Sequence, residues 1–286
     1  MKKLLSYGFY PLLLSVVLVT IVLATQNAWD YKAVYWKTTL FLVFSFIGLE
    51  TIFPAAQKWS MSKASFLRDL KYLVIDAPII ALTKTAFGIW AISYSQSHAK
   101  LLSTMPFWLE AIIFLLVFEF FQYWFHRLSH SGKGPLGRFL WRAHIAHHLP
   151  DRVYVVMHAV FHPINALISA IIVQAPLILL GISPEAALAA TLMIDLQSLI
   201  SHFNFDIRAG FLNYIFIGTE THRYHHSANL KEAGNFGNTL AIWDIIFGSF
   251  NYHPGVLPER LGVTEVDAPN SNHLAQVLLY PFRKAK

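Results

Sequence analysis

Residues 106–130 read PFWLEAIIFLLVFEFFQYWFHRLSH, and this stretch decides the fold. The part 106–125 is apolar and long enough to cross a hydrocarbon core of about 30 Å, which takes roughly 20 helical residues. It then ends on His126 and His130, four apart and so nearly one above the other on the same helical face. Glu119 and Gln122 carry that polar line back into the apolar part. An ionisable side chain inside a span marks a functional site by default. Two readings of Glu119 stand: it accepts an imidazole N–H or a proton, or it is a structural carboxylate between helices.

Working outward, the chain has 286 residues, 55% of them apolar and only 13% charged, with a mean hydropathy of +0.47. That is too apolar for an ordinary soluble domain, and a bilayer is the natural solvent. Further apolar runs at 8–25, 38–55 and 72–94 bring the expected spans to four. The first, behind Lys2 and Lys3, has the shape of a signal peptide as well, but no small-x-small cleavage site follows and it is read as a span. Two more apolar stretches, 164–180 and 185–200, are joined by Gly181-Ile182-Ser183-Pro184 and predict an antiparallel helical hairpin. No repeat or Pro/Gly/Ser-rich linker divides the chain. One compact unit is expected, with an N-terminal transmembrane region at 1–105, a di-metal catalytic region at 106–253 and a C-terminal cytoplasmic tail at 254–286. The fold class is all-α: a polytopic membrane bundle of about four spans plus the hairpin, capped by histidine-rich helices on the cytoplasmic face.

Orientation follows from the excess of Lys and Arg in cytoplasmic loops. With Lys2 and Lys3 inside, the loop bearing Lys58, Lys63, Arg68 and Lys71 is inside, as are Arg127, Lys133, Arg138, Arg142 and Arg152. Lys32, Lys37 and Lys100 fall outside. The hairpin returns the chain to the inside, so all of the fourteen histidines except His98 share one face. The net charge of +6 is accounted for by these flanks. Basic residues beside spans, with no basic patch interleaved with aromatics, argue against a nucleic-acid partner.

The absence of cysteine excludes disulfides, thiolate zinc sites, cysteine-ligated Fe–S clusters and thiolate haem, so any metal is held by N and O donors. Candidate donors abound. His144, His147 and His148 in HIAHH set three rings on a narrow helical arc, His222, His225 and His226 in HRYHH do so again, and His202 ends the second arm of the hairpin. One HxxxH carries little information. Two HxxHH copies, an HxxxH and a span-ending histidine on one face demand a compensating cation, because rings that can turn cationic repel and buried imidazoles need partners. A metal meets both needs, with the second ring N–H held by a neighbour. Nine donors exceed what one four-coordinate ion takes, so two metals are expected. Imidazole suits Zn, Cu, Fe and Ni, which leaves the element open. His162, with His158 four residues before it, is a further candidate ligand, and Asp195, seven residues before His202, joins Glu119 as a candidate catalytic carboxylate. Glu220 and Asp244 fit capping roles as well. Arg127 and Arg223, each directly after a candidate ligand, either clamp carboxylates or a lipid head group or are inside flank charges.

These residues resemble the fatty acid hydroxylase and sterol desaturase superfamily of membrane di-iron oxygenases. The resemblance runs over 119–250 through E-x-x-x-Y-x-x-H-R-x-x-H (119–130), L-W-R-x-H-x-x-H-H (140–148), His162-Pro163, H-x-N (202–204), H-R-x-H-H-S (222–227), N-x-G and I-W-D-x-x-F-G (242–248). It implies that His126, His130, His144, His147, His148, His202, His222, His225 and His226 ligate two Fe ions, with Zn possible in purified samples. It also implies O2-dependent hydroxylation or desaturation of an unactivated C–H in a membrane lipid such as a fatty acyl chain or sterol. Leu149 and Val160 depart from the residues the superfamily often carries there, which bears on substrate contacts. Two electrons are needed per turnover. The chain has no G-x-G-x-x-G nucleotide fold or haem site, so a separate donor is expected: a reductase, a ferredoxin or a cytochrome b5-like protein.

The rival reading is a histidine-rich membrane metal transporter or metal-binding protein. Transporters place ligands at mid-bilayer on broken helices, whereas these histidines sit at span ends. A zinc protease lacks its H-E-x-x-H. The expected location is a multi-pass position in a bacterial inner membrane or the ER, with the metal site cytoplasmic.

Overall fold

The apolar runs become helices, and their ends are set by identifiable groups. The structure, a computed structural model, describes residues 2–97, 101–102 and 104–283, without the side chains of 2–4 and 95–97. His98 and Lys100, two of the residues that the charge argument places outside, and the terminal 284–286 lie outside the described residues. The four long helices are α1 (Lys2–Gln26), α2 (Tyr31–Ile52), α3 (Lys63–Ser97) and α4 (Phe107–Ser131). All four are long and apolar enough to cross a membrane. They present large apolar side chains outward, such as Leu12, Phe44 and Leu82 at 62%, 68% and 70% exposure. A water-facing surface would not tolerate such a density of them; lipid does.

Asp30 starts α2 by accepting from the Lys32 and Ala33 N–H groups. The third helix begins earlier than its apolar run at 72–94, because tertiary partners satisfy the charges of its first turns. Arg68 pairs with Asp69 at 2.6 Å and donates to the Tyr154 hydroxyl at 2.9 Å.

Gly132, in the left-handed region at φ 58°, ends α4 directly after the histidine pair. The chain then folds back into α5 (Gly134–His148). A 3-10 turn (Val155–Ala159) leads to the hairpin of α6 (Pro163–Leu179) and α7 (Pro184–Ser201). Ser183 caps α7 through the Ala186 N–H, with Pro184 in the first turn. Glu110 of α4 fixes the hairpin tip by accepting from the Ser183 N–H at 2.6 Å. Short helices α8 (Thr219–His225), α9 (Ile242–Ile246) and α10 (Leu274–Leu279) complete the fold. No β-strand occurs among the described residues, which hold two isolated antiparallel bridges, Phe216–Leu240 and Ser227–Leu261.

α4 and α7 form the middle of the bundle, with α1 and α2 packed on α7 and α3 packed on α6. Their shared core includes Tyr10, Phe46, Phe114, Phe118 and Phe203. The segment after 254 is docked: Trp141 donates to Glu265 at 2.6 Å, and Val277 is buried in a second cluster with Trp59, Tyr154 and Met157.

Candidate metal centre

Four stretches of chain bring nine imidazoles together at one end of the bundle, in two groups. His126, His130, His144, His148 and His225 form one, and His147, His202, His222 and His226 the other, with candidate donor atoms in each group within 4.8 Å of one another. Helical spacing explains the sharing. In HIAHH the i, i+4 pair His144 and His148 goes to the group of five and His147 to the group of four. In HRYHH the pair His222 and His226 goes to the group of four and His225 to the group of five. Each motif thus feeds both groups, and the His148 and His226 rings stack at 4.5 Å where the groups meet.

The outer nitrogens settle which way the donors point. Nδ1 of His126 donates to the Phe236 carbonyl at 2.7 Å, that of His147 to Val160 at 3.0 Å, that of His202 to Ser198 at 3.1 Å, and that of His225 to Gly234 at 2.9 Å. His144 Nδ1 meets the Asn165 side-chain oxygen at 2.9 Å. A carbonyl only accepts, so the proton of each neutral ring sits on Nδ1 and Nε2 carries a bare lone pair. These lone pairs face each other: His126 to His144 at 3.0 Å and His202 to His147 at 3.0 Å. His130 Nε2 is buried without a partner among the described residues.

Protonation does not relieve this. Burial holds His144, His147, His148, His222, His225 and His226 well below the usual histidine range, and neighbouring rings lower them further. His202 is pushed down to about 3 by burial and by His158. Neutral donors converging with no proton between them are what a soft or borderline cation requires, so the residues present fit a metal.

The other expected site residues fall elsewhere. His162 joins neither group: its Nδ1 caps α6 by accepting from the Ile164 N–H at 3.1 Å, and its Nε2 donates to the Leu278 carbonyl at 3.1 Å. Glu119 touches no histidine. It accepts from the backbone N–H groups of Asn238 and, at 2.9 Å, Thr239, which fixes the loop whose Phe236 carbonyl orients His126. Asp195 accepts from Thr39 at 2.8 Å and lines a cavity of about 380 Å³. Asp244 holds the Phe236 and Gly237 N–H groups, and Glu220 holds Ala209 and Asn213. Arg223 clamps no carboxylate; it is buried and donates to the Phe203 and Phe205 carbonyls at 2.7 Å. Arg127 donates to Tyr123 and the Phe247 carbonyl.

The orienting set of Asn165 and the Val160, Ser198, Gly234 and Phe236 carbonyls was missed in the sequence. Asn165, a lone amide in FHPIN at the start of an apolar run, carried the one available signal; a carbonyl carries none. The cavity starts beside the group of four, where Phe161 stacks on His147 at 4.4 Å and His158 lies 5.3 Å from His202. It continues between α3, α6 and α7.

Fold and site together define a polytopic membrane protein with a polyhistidine centre, of metal-donor chemistry, at one end of its bundle. Comparison with known proteins makes the class specific. The fatty acid hydroxylase family model matches residues 111–249, a stretch that holds all nine clustered histidines, and the protein is an oxidoreductase of the kind that match describes. It is similar to an ornithine lipid hydroxylase of Rhizobium tropici, 28% identical over 89% of this chain and 76% of the relative. It is also similar to a methylsterol monooxygenase of Aspergillus fumigatus, 23% identical over 68% of this chain and 62% of the relative. A very-long-chain aldehyde decarbonylase of Oryza sativa subsp. japonica is 26% identical over 59% of this chain and 57% of the relative. The chain thus spans less than two thirds of the length of the last two. No solved structure matches it.

Proposed function

We propose that this protein oxidises a C–H bond of a membrane lipid with O2, at two iron ions held by the two histidine groups. The observation that carries the reading is the division of nine imidazoles, eight of them buried and His130 half-buried, into groups of five and four, with the lone pairs of the five rings fixed through Nδ1 turned inward. The family match supports lipid oxidation, and relatives named hydroxylase and monooxygenase favour hydroxylation over desaturation. In that reaction one oxygen atom enters the C–H bond and the other leaves as water, with two electrons and two protons drawn from a separate donor. A ferredoxin, a cytochrome b5-like protein or another reductase fills that role.

The irons supply the activation of O2 and the oxidising power that an unactivated C–H requires; zinc is able to occupy the same donors in purified material. The protein's own part is positioning and exclusion of water. His126, His130, His144, His148 and His225 hold one ion, and His147, His202, His222 and His226 the other. Glu119 and Asp244 fix the loop 236–239 behind His126, and His162 serves the start of α6. The cavity next to His158 and Phe161 receives the substrate sideways from the bilayer, and apolar groups such as Phe118, Ile194 and Val173 keep it dry. In this reading 1–105 is the transmembrane support, 106–253 the catalytic region and 254–286 a C-terminal cytoplasmic tail. The histidine end faces the cytoplasm, as the Lys/Arg bias indicates.

The test is turnover by the full-length protein reconstituted in vesicles of total lipid extract with iron, a reductant and O2. Oxygen-dependent appearance of lipids heavier by one oxygen atom, absent in His226→Ala, is the expected result. Metal flux across the vesicles without lipid oxidation would establish the transporter instead.

A further inference from the structure

Asp76 differs from the other acids buried in the bundle. Glu50 accepts from the Val155 and Asn204 N–H groups, Glu110 from Ser183, Glu119 from Asn238 and Thr239, and Asp69 from Arg68 and Tyr154. Asp76 is 4% exposed, and neither of its oxygens has a partner among the described residues. A buried carboxylate left this way is strongly unfavourable unless something else completes it.

It faces the cavity beside the histidine centre, on the α3 face formed with Leu73, Ala77, Ile80 and Lys84. Asp69, seven residues earlier, is bound to Tyr154 of the loop that carries His158, which puts Asp76 towards the histidine end. Lys84 lies about 12 Å further along the helix. Among the described residues, the other charged or titratable groups on the walls are His158, Tyr35 and Asp195, the last held by Thr39 and Tyr35 and within the field of Lys84. A wholly hydrocarbon ligand would press methylenes against the unpaired carboxylate. An ammonium group offers both the opposite charge and the missing donors.

We propose that Asp76 is the specificity-determining residue of a head-group subsite, and that the cavity takes the protonated amine of an aminolipid. The proposal rests on the lipid-oxidation reading above and narrows its substrate to amine-bearing lipids whose polar head lies beside the histidine centre. A zwitterionic head, with its amine at Asp76 and its acidic group towards Lys84, matches the order of charges along α3.

The full-length protein in neutral detergent is titrated with dodecylamine, dodecanol and dodecanoate, and binding is read as a shift in thermal unfolding. The amine is expected to bind about tenfold or more tightly than the alcohol. Asp76→Asn, which keeps the shape and removes the charge, is expected to bring the amine down to the level of the alcohol, and Asp76→Glu to retain the preference. Equal affinity for amine and alcohol in the wild-type protein, or an undiminished preference in Asp76→Asn, overturns the subsite. Should Asp76→Asn not fold, the wild-type comparison decides alone. Turnover separates the two readings. Iron-loaded protein that oxidises neutral and aminated lipids equally overturns the subsite and leaves lipid oxidation standing. Protein that binds dodecylamine as stated yet oxidises no lipid overturns the oxidation and leaves the subsite.

Discussion

An imidazole makes a dependable ligand only when its second nitrogen is occupied, since that contact fixes both the tautomer and the ring plane. For most of the oriented rings the contact is a backbone carbonyl, beyond the reach of substitution. For His144 it is the Asn165 side chain, which makes the dependence testable at one residue. Asn165→Leu is expected to weaken metal binding about 10–100-fold, measured by competition with a chelator. Asn165→Asp, which keeps the acceptor, is expected to recover most of the loss. An unchanged affinity in the leucine variant would remove Asn165 from the orienting set.

At the scale of elements, unequal group sizes distinguish histidines that occupy the same place in their motifs. His147 and His225 are each the i+3 member of an HxxHH helix, but His147 belongs to the group of four and His225 to the group of five. In His147→Ala three donors remain, and the protein is expected to lose about one equivalent of metal by elemental analysis. His225→Ala leaves four, a sufficient set for one ion, and is expected to keep its stoichiometry with weaker binding. Two glycines make a parallel contrast. A methyl at Gly132 meets nothing within 4 Å, so Gly132→Ala costs only the left-handed backbone, about 1–2 kcal/mol, read as a modest drop in unfolding temperature with metal retained. A methyl at Gly234 would run into the Ser249 carbonyl and displace the loop that holds His225. Gly234→Ala is therefore expected to lose metal.

Across the whole molecule, the buried centre couples stability to pH. In the metal-free protein His202 and His158 have been lowered to about 3 and about 4, with burial the main cause, against about 6.5 in an unfolded chain. Between those values the folded state binds fewer protons than the unfolded one, so acid favours unfolding. Chelator-treated protein is expected to hold its unfolding temperature above about pH 6.5 and to lose it progressively towards pH 4. Metal-loaded protein should resist further into the acid range, because protons must then displace the metal from Nε2. A flat unfolding temperature between pH 7 and 4 in the metal-free protein would contradict the burial of these rings.

Spans, hairpin and the nine-histidine set were legible in the sequence because each is a local property: run length, helical spacing, a turn between two apolar stretches. The same periodicity explains why Glu119 and Asp195 stood out, yet their roles depended on what packs against them, and Glu119 met backbone N–H groups from a loop more than a hundred residues away. His162 shows the same limit, since its motif looked like a ligand's while its ring caps a helix and meets Leu278. The sequence determined by itself that this chain lives in a bilayer and gathers imidazoles at one end, since hydropathy and residue type are carried by each position alone. Only the tertiary structure decided which rings share an ion, which carbonyls turn them inward and that Asp76 stands unpaired on a cavity wall, because those depend on surfaces that meet only when distant helices pack.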